Sequence, residues 1–192
     1  MKSKIDNWME KSGANILRHV GIIKGHKVLD FGCGSGNYTI PAAKVVGEQG
    51  VVYVIDEDKE DLNQLMNKAK SMGLKNIIKI KASGKSEIAL SNESVDVVLL
   101  YDILHYYYFP KEVDRRHLLS EVCRVLKPNG LLSLYPTHLE PNMVPKLGDV
   151  KREIKESNFR EESEYPDMIM IHEDRIEDGC VINFRKENPV VR

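Results

Sequence analysis

Three glycines stand at alternate positions in residues 28–38, VLDFGCGSGNY, directly after a short apolar run. Glycine has no Cβ, so it suits turns with unusual dihedral angles and places where a ligand approaches the backbone closely. A loop of this kind between a first strand and a helix is a common binding site for a nucleotide cofactor, because the helix presents free N–H groups there. We therefore predict that this glycine loop binds a ligand that carries an adenosine.

The spacing of the glycines separates two classes of ligand. A dinucleotide loop follows the pattern G-x-G-x-x-G, but here Gly32, Gly34 and Gly36 fall at i, i+2 and i+4, and Asn37 occupies i+5. Asp30 precedes the loop by two residues, and its carboxylate would suit a cationic amine better than a pyrophosphate. The pattern favours a ligand with a ribose and an ammonium group.

A second carboxylate is placed to bind the ribose. Asp56 follows the apolar run VVYVI, 20 residues after Gly36. An acidic residue at the end of a second strand can accept hydrogen bonds from vicinal ribose hydroxyls. The other interpretation of Asp56 is a negative charge at the N-terminus of the helix that follows.

Alternating strand and helix patterns predict the elements that hold these residues. The predicted strands are 27–31, 51–55, 77–80, 95–100 and 131–135, and the predicted helices are 38–46, 58–72, 112–126 and 145–157. Two later strand-like stretches, 167–172 and 180–184, are joined by a connection too short for a parallel crossover, so they predict an antiparallel hairpin.

This order predicts an α/β fold: a doubly wound, Rossmann-like, mostly parallel seven-stranded sheet with an antiparallel terminal hairpin and helices on both faces. The length of 192 residues indicates a single domain over 1–192. Within it we expect an N-terminal helix in residues 1–22 and a loose tail at 187–192.

Composition excludes several functions. The formal net charge is −1, which argues against binding of nucleic acid through bulk electrostatics. Three separated cysteines form no CxxC pair, so we expect reduced thiols, a cytoplasmic location and no metal. The absence of a long apolar stretch predicts no membrane span.

The motifs resemble those of class I S-adenosylmethionine-dependent methyltransferases, in particular small, single-domain, type-11-like members. VLDFGCGSGNY is similar to their first motif, and VVYVIDED to the second, with Asp56 at the ribose-binding acid. The segment through VDVVLLYDILHY resembles their third and fourth strands, and LLSEVCRVLKPNGLLSLYP their late helix and fifth strand. The resemblance covers roughly residues 10–186.

The resemblance implies S-adenosylmethionine as cofactor and a role for each matching residue. Glu57 would flank the adenine, and the backbone of Tyr101 would lie near the methionine moiety. The full set of implied cofactor-binding residues is Asp30, Gly32, Cys33, Gly34, Gly36, Asp56, Glu57, Ala82, Ser83 and Tyr101. Ala82 and Ser83 stand where the family contacts adenine, although relatives often carry an acidic residue there.

The acceptor is expected beside the loop after the fourth strand, YDILHYYYFPKE, residues 101–112. His105, Tyr106 and Tyr107 are the candidate catalytic residues, with His105 as a general base. The simpler interpretation is that some of these rings pack in the core or at a dimer contact. His138 is a further site candidate, whereas His172 is expected at the surface or in packing.

Together these features predict transfer of a methyl group from S-adenosylmethionine to a small-molecule acceptor, driven mainly by proximity. The alternatives are a non-catalytic cofactor-binding or regulatory protein of the same fold and, with less support, a nicotinamide oxidoreductase. We expect a monomer or homodimer, with neither nucleic acid nor membrane as partner.

Overall fold

One mixed seven-stranded sheet organises the chain. A computed structural model describes residues 3–81, 84 and 86–188. The strands are β1 Lys27–Phe31, β2 Val51–Ile55, β3 Ile77–Lys79, β4 Val95–Tyr101, β5 Leu126–Tyr135, β6 Phe159–His172 and β7 Arg175–Lys186. Their spatial order is β3-β2-β1-β4-β5-β7-β6, parallel from β3 to β5 and antiparallel at β7 and β6. The predicted doubly wound fold with a reversed terminal hairpin is confirmed.

Helices cover both faces of this sheet. They are α1 Lys4–Asn7, α2 Gly13–His19, α3 Thr39–Val46, α4 Lys59–Ser71, α5 Glu112–Val125 and α6 Leu147–Glu156, with a π-helical turn Trp8–Ser12 between α1 and α2. One apolar core contains Leu17, Ala42 and Leu65, and the other contains Leu118 and Ile154, so α2 to α4 pack on one face and α5 and α6 on the other. Within the described residues, no helix has the length and apolar content needed to cross a bilayer.

Local sequence signals explain where helices α3 and α4 begin or end. The Asp58 carboxylate accepts hydrogen bonds from the N–H groups of Glu60 and Asp61 and so caps α4. Gly73, with φ 70°, follows the end of that helix. Pro41 falls in the first turn of α3, where its missing N–H has no helical partner to lose.

Two boundaries differ from the expectation. The strand predicted over 131–135 begins earlier, at Leu126, and its register with β4 shifts because Val95 pairs with Leu126 and Val97 with Leu131. The residues between these pairs form a bulge in which Asn129 has φ 58°.

The terminal hairpin is also longer than the pattern of apolar residues suggests. Pairing continues to His172–Arg175, so only Glu173 and Asp174 form the turn, with φ 46° and 60°. On β7 the added residues next to the turn, 175–179, are exposed except Gly179 and polar except Ile176 and Gly179. Cross-strand hydrogen bonding extends the strand there beyond the buried alternation.

Of the two predicted terminal segments, residues 4–19 are helical, and 187–188 follow β7 without regular structure. Residues 189–192 lie outside the described residues.

Candidate active site

A cavity of about 390 Å³ opens at the carboxyl ends of β1, β2 and β4. This edge is where open α/β sheets bind ligands, because the connections on either side of the switch point diverge there. The glycine loop forms one wall, the segment after β4 forms a second, and the turn of the terminal hairpin forms a third.

The glycine loop adopts backbone angles that favour glycine. Gly32 and Gly34 line the cavity with φ 76° and 49°. A Cβ on Gly32 would collide with Ile103, whereas a Cβ on Gly34 would meet nothing closer than Asp61 Oδ2 at 4.0 Å. Gly32 therefore makes room for a side chain of the protein, and Gly34 leaves space at the cavity. Gly36, with φ 93°, does not line the cavity, and a Cβ there would collide with Leu65.

Asp56 joins this loop to the end of β2. The Gly34 N–H donates to Asp56 Oδ2 at 2.7 Å, and the Asp58 N–H donates to Oδ1 at 2.9 Å. A carboxylate has about four lone-pair positions, so two donors leave acceptor capacity on both oxygens. Asp56 lines the cavity and can accept further hydrogen bonds from a bound diol.

The rim beside Asp56 is acidic. Glu57, Asp58 and Asp61 also line the cavity, and no described lining residue is a lysine or arginine. Burial, together with the neighbouring carboxylates of Asp58 and Asp56, raises the pKa of Asp61. This field favours a cationic ligand and disfavours a pyrophosphate.

Asp30 lies beneath the loop instead of lining the cavity. It is 3% exposed, and its Oδ2 accepts a hydrogen bond from the Thr39 hydroxyl at 2.5 Å. Burial raises the pKa of Asp30 to about 6, against the lowering effect of Thr39. The strand alternation points this carboxyl towards α3, so it supports the start of that helix from below.

The remaining walls are apolar and aromatic. Phe31, Ile55, Ile103 and Phe109 surround the cavity, and they suit a flat apolar ring. Cys33 also lines it, and burial raises the pKa of this thiol far above its usual range, so the thiol stays neutral.

Tyr101, at the carboxyl end of β4, lines the cavity. Its hydroxyl is within hydrogen-bond distance of Ser133 Oγ at 2.9 Å, and its ring meets Tyr38 edge to face at 4.7 Å. Ala82 and Ser83 lie outside the described residues, although their neighbour Gly84 lines the cavity.

The three candidate catalytic residues, His105, Tyr106 and Tyr107, do not line the cavity. His105 is 2% exposed, and the rings of Tyr106 and Tyr107 lie 4.0 Å apart, with Tyr107 61% exposed. From the same loop, Tyr108 and Phe109 reach the cavity instead. Burial raises the pKa of Tyr108, so it is neutral near pH 7.

Sequence reasoning missed part of the site. Asp102 lines the cavity next to Tyr101, and Ile171, His172 and Glu173 reach it from the hairpin. Asp102 could have been found from its place directly after β4, at the switch point. His172, at the end of β6, lies 70 residues after Asp102 along the chain, and no local pattern marks it.

The fold and the glycine loop define a class: Rossmann-like methyltransferases with a reversed seventh strand. Comparison with known families gives the particular family, because residues 22–178 match the model described as "Methyltransferase domain". The chain belongs to this family of S-adenosylmethionine-dependent methyltransferases.

Individual relatives agree with this assignment. The chain is 37% identical over 92 residues to a probable cobalt-precorrin-6B C(15)-methyltransferase (decarboxylating) of Saccharolobus solfataricus, covering 47% of this chain and 46% of that protein. It is 27% identical over 143 residues to a demethylmenaquinone methyltransferase of Lactobacillus johnsonii, covering 74% and 55%. The chain spans about half the length of these curated relatives.

A solved structure shows the same fold over nearly the whole chain. It is a SAM-dependent methyltransferase from Aquifex aeolicus, with a TM-score of 0.72, 23% identity, and coverage of 95% of this chain and 97% of that one.

The cofactor of this family is S-adenosylmethionine, and the residues present fit it. Asp56 retains acceptor capacity for ribose hydroxyls, the acidic rim suits a molecule with an ammonium and a sulfonium, and the apolar walls suit an adenine. The described lining carries several carboxylates and neither lysine nor arginine, and this negative field disfavours the pyrophosphate of a dinucleotide.

Proposed function

We propose that the protein transfers a methyl group from S-adenosylmethionine to a small-molecule acceptor. The observation that carries the proposal is the Asp56 carboxylate, which is anchored to the glycine loop by Gly34 and still has free lone pairs at the cavity. When bound, the cofactor supplies an electrophilic methyl group on sulfur. The residues of the chain hold, orient and enclose the reacting groups.

Binding is divided among the walls. Asp56 accepts the ribose hydroxyls, Glu57 flanks the adenine, and the backbone around Gly34 and Tyr101 lies at the methionine part. Asp30 acts indirectly in this proposal, since it holds Thr39 at the start of α3 under the loop. The apolar walls exclude water, which strengthens these polar contacts.

The acceptor would enter between Tyr108 and the hairpin turn at Glu173. Both residues line the same cavity, and together they bring an aromatic ring and a carboxylate to its side. Holding acceptor and methyl group in line accounts for much of the rate, on the order of 7–11 kcal/mol in favourable cases.

His105 is not suited to act as the base. The Tyr107 N–H donates to His105 Nδ1 at 3.3 Å, so the proton lies on Nε2, which faces the Asp102 carbonyl oxygen at 3.0 Å. His105 therefore positions the segment after β4. We infer that the reaction relies mainly on proximity and on an acceptor whose nucleophile is available without His105.

The names of the relatives support a small-molecule acceptor, since they refer to a cobalt-precorrin and to demethylmenaquinone. We also propose that the chain works as one domain, as a monomer or homodimer in the cytoplasm, without nucleic acid. The acidic rim supports the last point, because a phosphate backbone would be repelled there.

Calorimetric titration with S-adenosylhomocysteine, S-adenosylmethionine and NAD tests the cofactor. We expect micromolar binding of the first two and none of NAD; binding of NAD alone would overturn the proposal. Release of S-adenosylhomocysteine is then followed with acceptors bearing a conjugated ring, an amine, a hydroxyl or a thiol, including demethylmenaquinone. Tight binding without release across all of these would favour the non-catalytic alternative.

A further inference from the structure

Two histidines and an aspartate converge beside the cofactor cavity. One potential ligand atom from each of Asp102, His138 and His172 lies within 4.8 Å of the other two. They come from three separate segments, after β4, after β5 and at the end of β6. Sequence analysis predicts no metal, yet these are ligand atoms that divalent transition metals prefer.

The spacing of the three atoms is close to that of a metal site. His138 Nε2 lies 3.0 Å from His172 Nε2, and His172 Nε2 lies 3.7 Å from Asp102 Oδ1. The ligands of a tetrahedral zinc ion lie about 3.3 Å apart, given bonds of about 2.0–2.1 Å. Both distances from His172 Nε2 are within about 0.4 Å of that value, and Asp102 and His138 also lie within 4.8 Å of each other.

Hydrogen bonds fix which nitrogen of His172 is free. His172 Nδ1 lies 3.1 Å from Glu177 Oε1, and the Tyr135 hydroxyl donates to the same oxygen at 3.1 Å. An ionised carboxylate only accepts, so the proton of His172 lies on Nδ1 and the lone pair on Nε2 points into the cluster. A carboxylate behind a histidine in this way is the usual arrangement around a metal ligand.

Asp102 is oriented in a similar way. The Thr137 hydroxyl donates to its Oδ1, and His105 Nε2 lies 3.2 Å from the same oxygen. The Thr137 hydroxyl therefore orients this carboxylate, whereas the Nε2 proton of His105 is shared between Oδ1 and the Asp102 carbonyl oxygen at 3.0 Å. Glu173 Oε1, 3.8 Å from His138 Nε2, adds a second carboxylate oxygen close to the cluster.

We infer that Asp102, His138 and His172 form a binding site for one divalent transition-metal ion, with zinc as the reference ion. Three protein ligands leave at least one coordination position, as in catalytic zinc sites. Asp102 and His172 also line the cofactor cavity, so that position faces the cavity. Resting on the proposed function, the open position would take an oxygen or sulfur lone pair of the acceptor.

The test uses the full chain without a histidine tag. Titration with Zn²⁺ by calorimetry, and with Co²⁺ by its visible d–d absorption, is expected to show one ion per chain. His138→Ala removes a ligand that does not line the cavity, so it should abolish the stoichiometric binding while affinity for S-adenosylhomocysteine is kept. His117→Ala, an exposed histidine on α5, is the matched control and should bind metal as the parent does.

A more conservative variant distinguishes loss of a metal ligand from loss of the fold. Glu177→Gln removes only the charge behind His172, and it should weaken zinc binding about 10- to 100-fold. Metal-free thermal unfolding of each variant establishes that the fold persists.

Absence of stoichiometric binding by the parent, or binding that survives His138→Ala, would overturn the inference and leave a simple hydrogen bond between the two imidazoles. Failure of S-adenosylhomocysteine to bind the parent would instead contradict the proposed function, and the metal titration would be unaffected.

Discussion

The two sides of the cavity differ in how their residues are distributed along the chain. On the glycine-loop side, Gly34 and Asp56 are bonded across 22 positions, and one strand–helix–strand unit holds them. On the other side, His172 meets His138 across 34 positions, and Thr137 meets Asp102 across 35. The first side can form from a local unit, whereas the second requires β4, β5 and the hairpin to be in place together. The cofactor side can therefore form from one short stretch of the chain. The geometry of the side proposed for the acceptor and the metal requires the whole sheet.

The largest expected effect is a loss of folding stability when a long-range contact on the second side is broken. Arg115 and Glu153 form a buried bidentate ion pair between α5 and α6, with both bonds at 2.7 Å. Arg115 also donates to the Phe109 carbonyl at 2.8 Å and so anchors the cavity wall. Glu153→Ala leaves a buried guanidinium unpaired and should lower the free energy of unfolding by about 3–5 kcal/mol.

Denaturant unfolding measures this change, and Glu156→Ala is the matched control. Glu156 pairs with Arg116 between the same two helices, but that pair is exposed, so its loss should cost less than about 1 kcal/mol. Equal losses in the two variants would contradict the importance given to the buried contact.

On the glycine-loop side, Asp30 should make stability depend on pH. Its folded pKa of about 6 lies above the ordinary 3.8, so the folded state binds more protons than the unfolded state between these values. The stabilisation is therefore complete below about pH 4 and is lost as the pH rises through 6, a change of about 3 kcal/mol.

Asp30→Asn stays neutral at every pH. Unfolding free energies of parent and variant, measured from pH 4 to 8, should therefore diverge in favour of the variant as the pH rises. Parallel curves would show that Asp30 is not perturbed as described.

The next largest expected effect is a loss of cofactor affinity at the glycine loop. Asp56→Ala should weaken binding of S-adenosylhomocysteine about tenfold or more, because charge-assisted hydrogen bonds of roughly 1.5–3 kcal/mol are lost. Glu60→Gln, an exposed change of equal charge at the start of α4, should leave the dissociation constant nearly unchanged. Calorimetry of both variants separates direct bonding from the general acidic field, and a similar loss in each would remove Asp56 from its assigned role.

The smallest expected effect is a change in cofactor affinity that differs between two neighbouring tyrosines. Tyr108 lines the cavity and Tyr107 does not. Tyr108→Ala should raise the dissociation constant for S-adenosylhomocysteine by roughly 2- to 10-fold, in line with about 0.5–1.5 kcal/mol for an aromatic contact. Tyr107→Ala should change it little. A larger change in the dissociation constant for Tyr107→Ala than for Tyr108→Ala would place Tyr107 at the binding site and contradict the cavity wall described here.

The same contrast explains what could be predicted from sequence. The order of the strands, the bounds of β1 and β2, the glycine loop and the position of Asp56 directly after β2 follow from short patterns, whereas β5, β6 and β7 are longer than those patterns predict. The glycine-loop motif does not predict the position of Asp30, because the alternation of β1 turns its carboxyl towards Thr39 instead of the cavity. Residue type alone favours His105, Tyr106 and Tyr107 as catalytic groups, but the turn after β4 buries the first and directs the others away from the cavity. The position of His172 is set by the register of the terminal hairpin. The polar end of that hairpin has no alternation of buried and exposed residues from which the register could be predicted.

Two hydrogen bonds to β6 also bear on how the protein acquires its structure. Trp8 donates to the Ile169 carbonyl across 161 positions at 2.6 Å, and the Tyr38 hydroxyl bonds with Ile171 across 133. Contacts between residues so distant in sequence raise the contact order and slow folding. During synthesis, these two aromatic residues emerge long before their partners and must wait for β6. Tyr38 and Ile171 both line the cofactor cavity, so the glycine loop could form early, but the cavity wall and the place of His172 would be completed only in the last stage of folding.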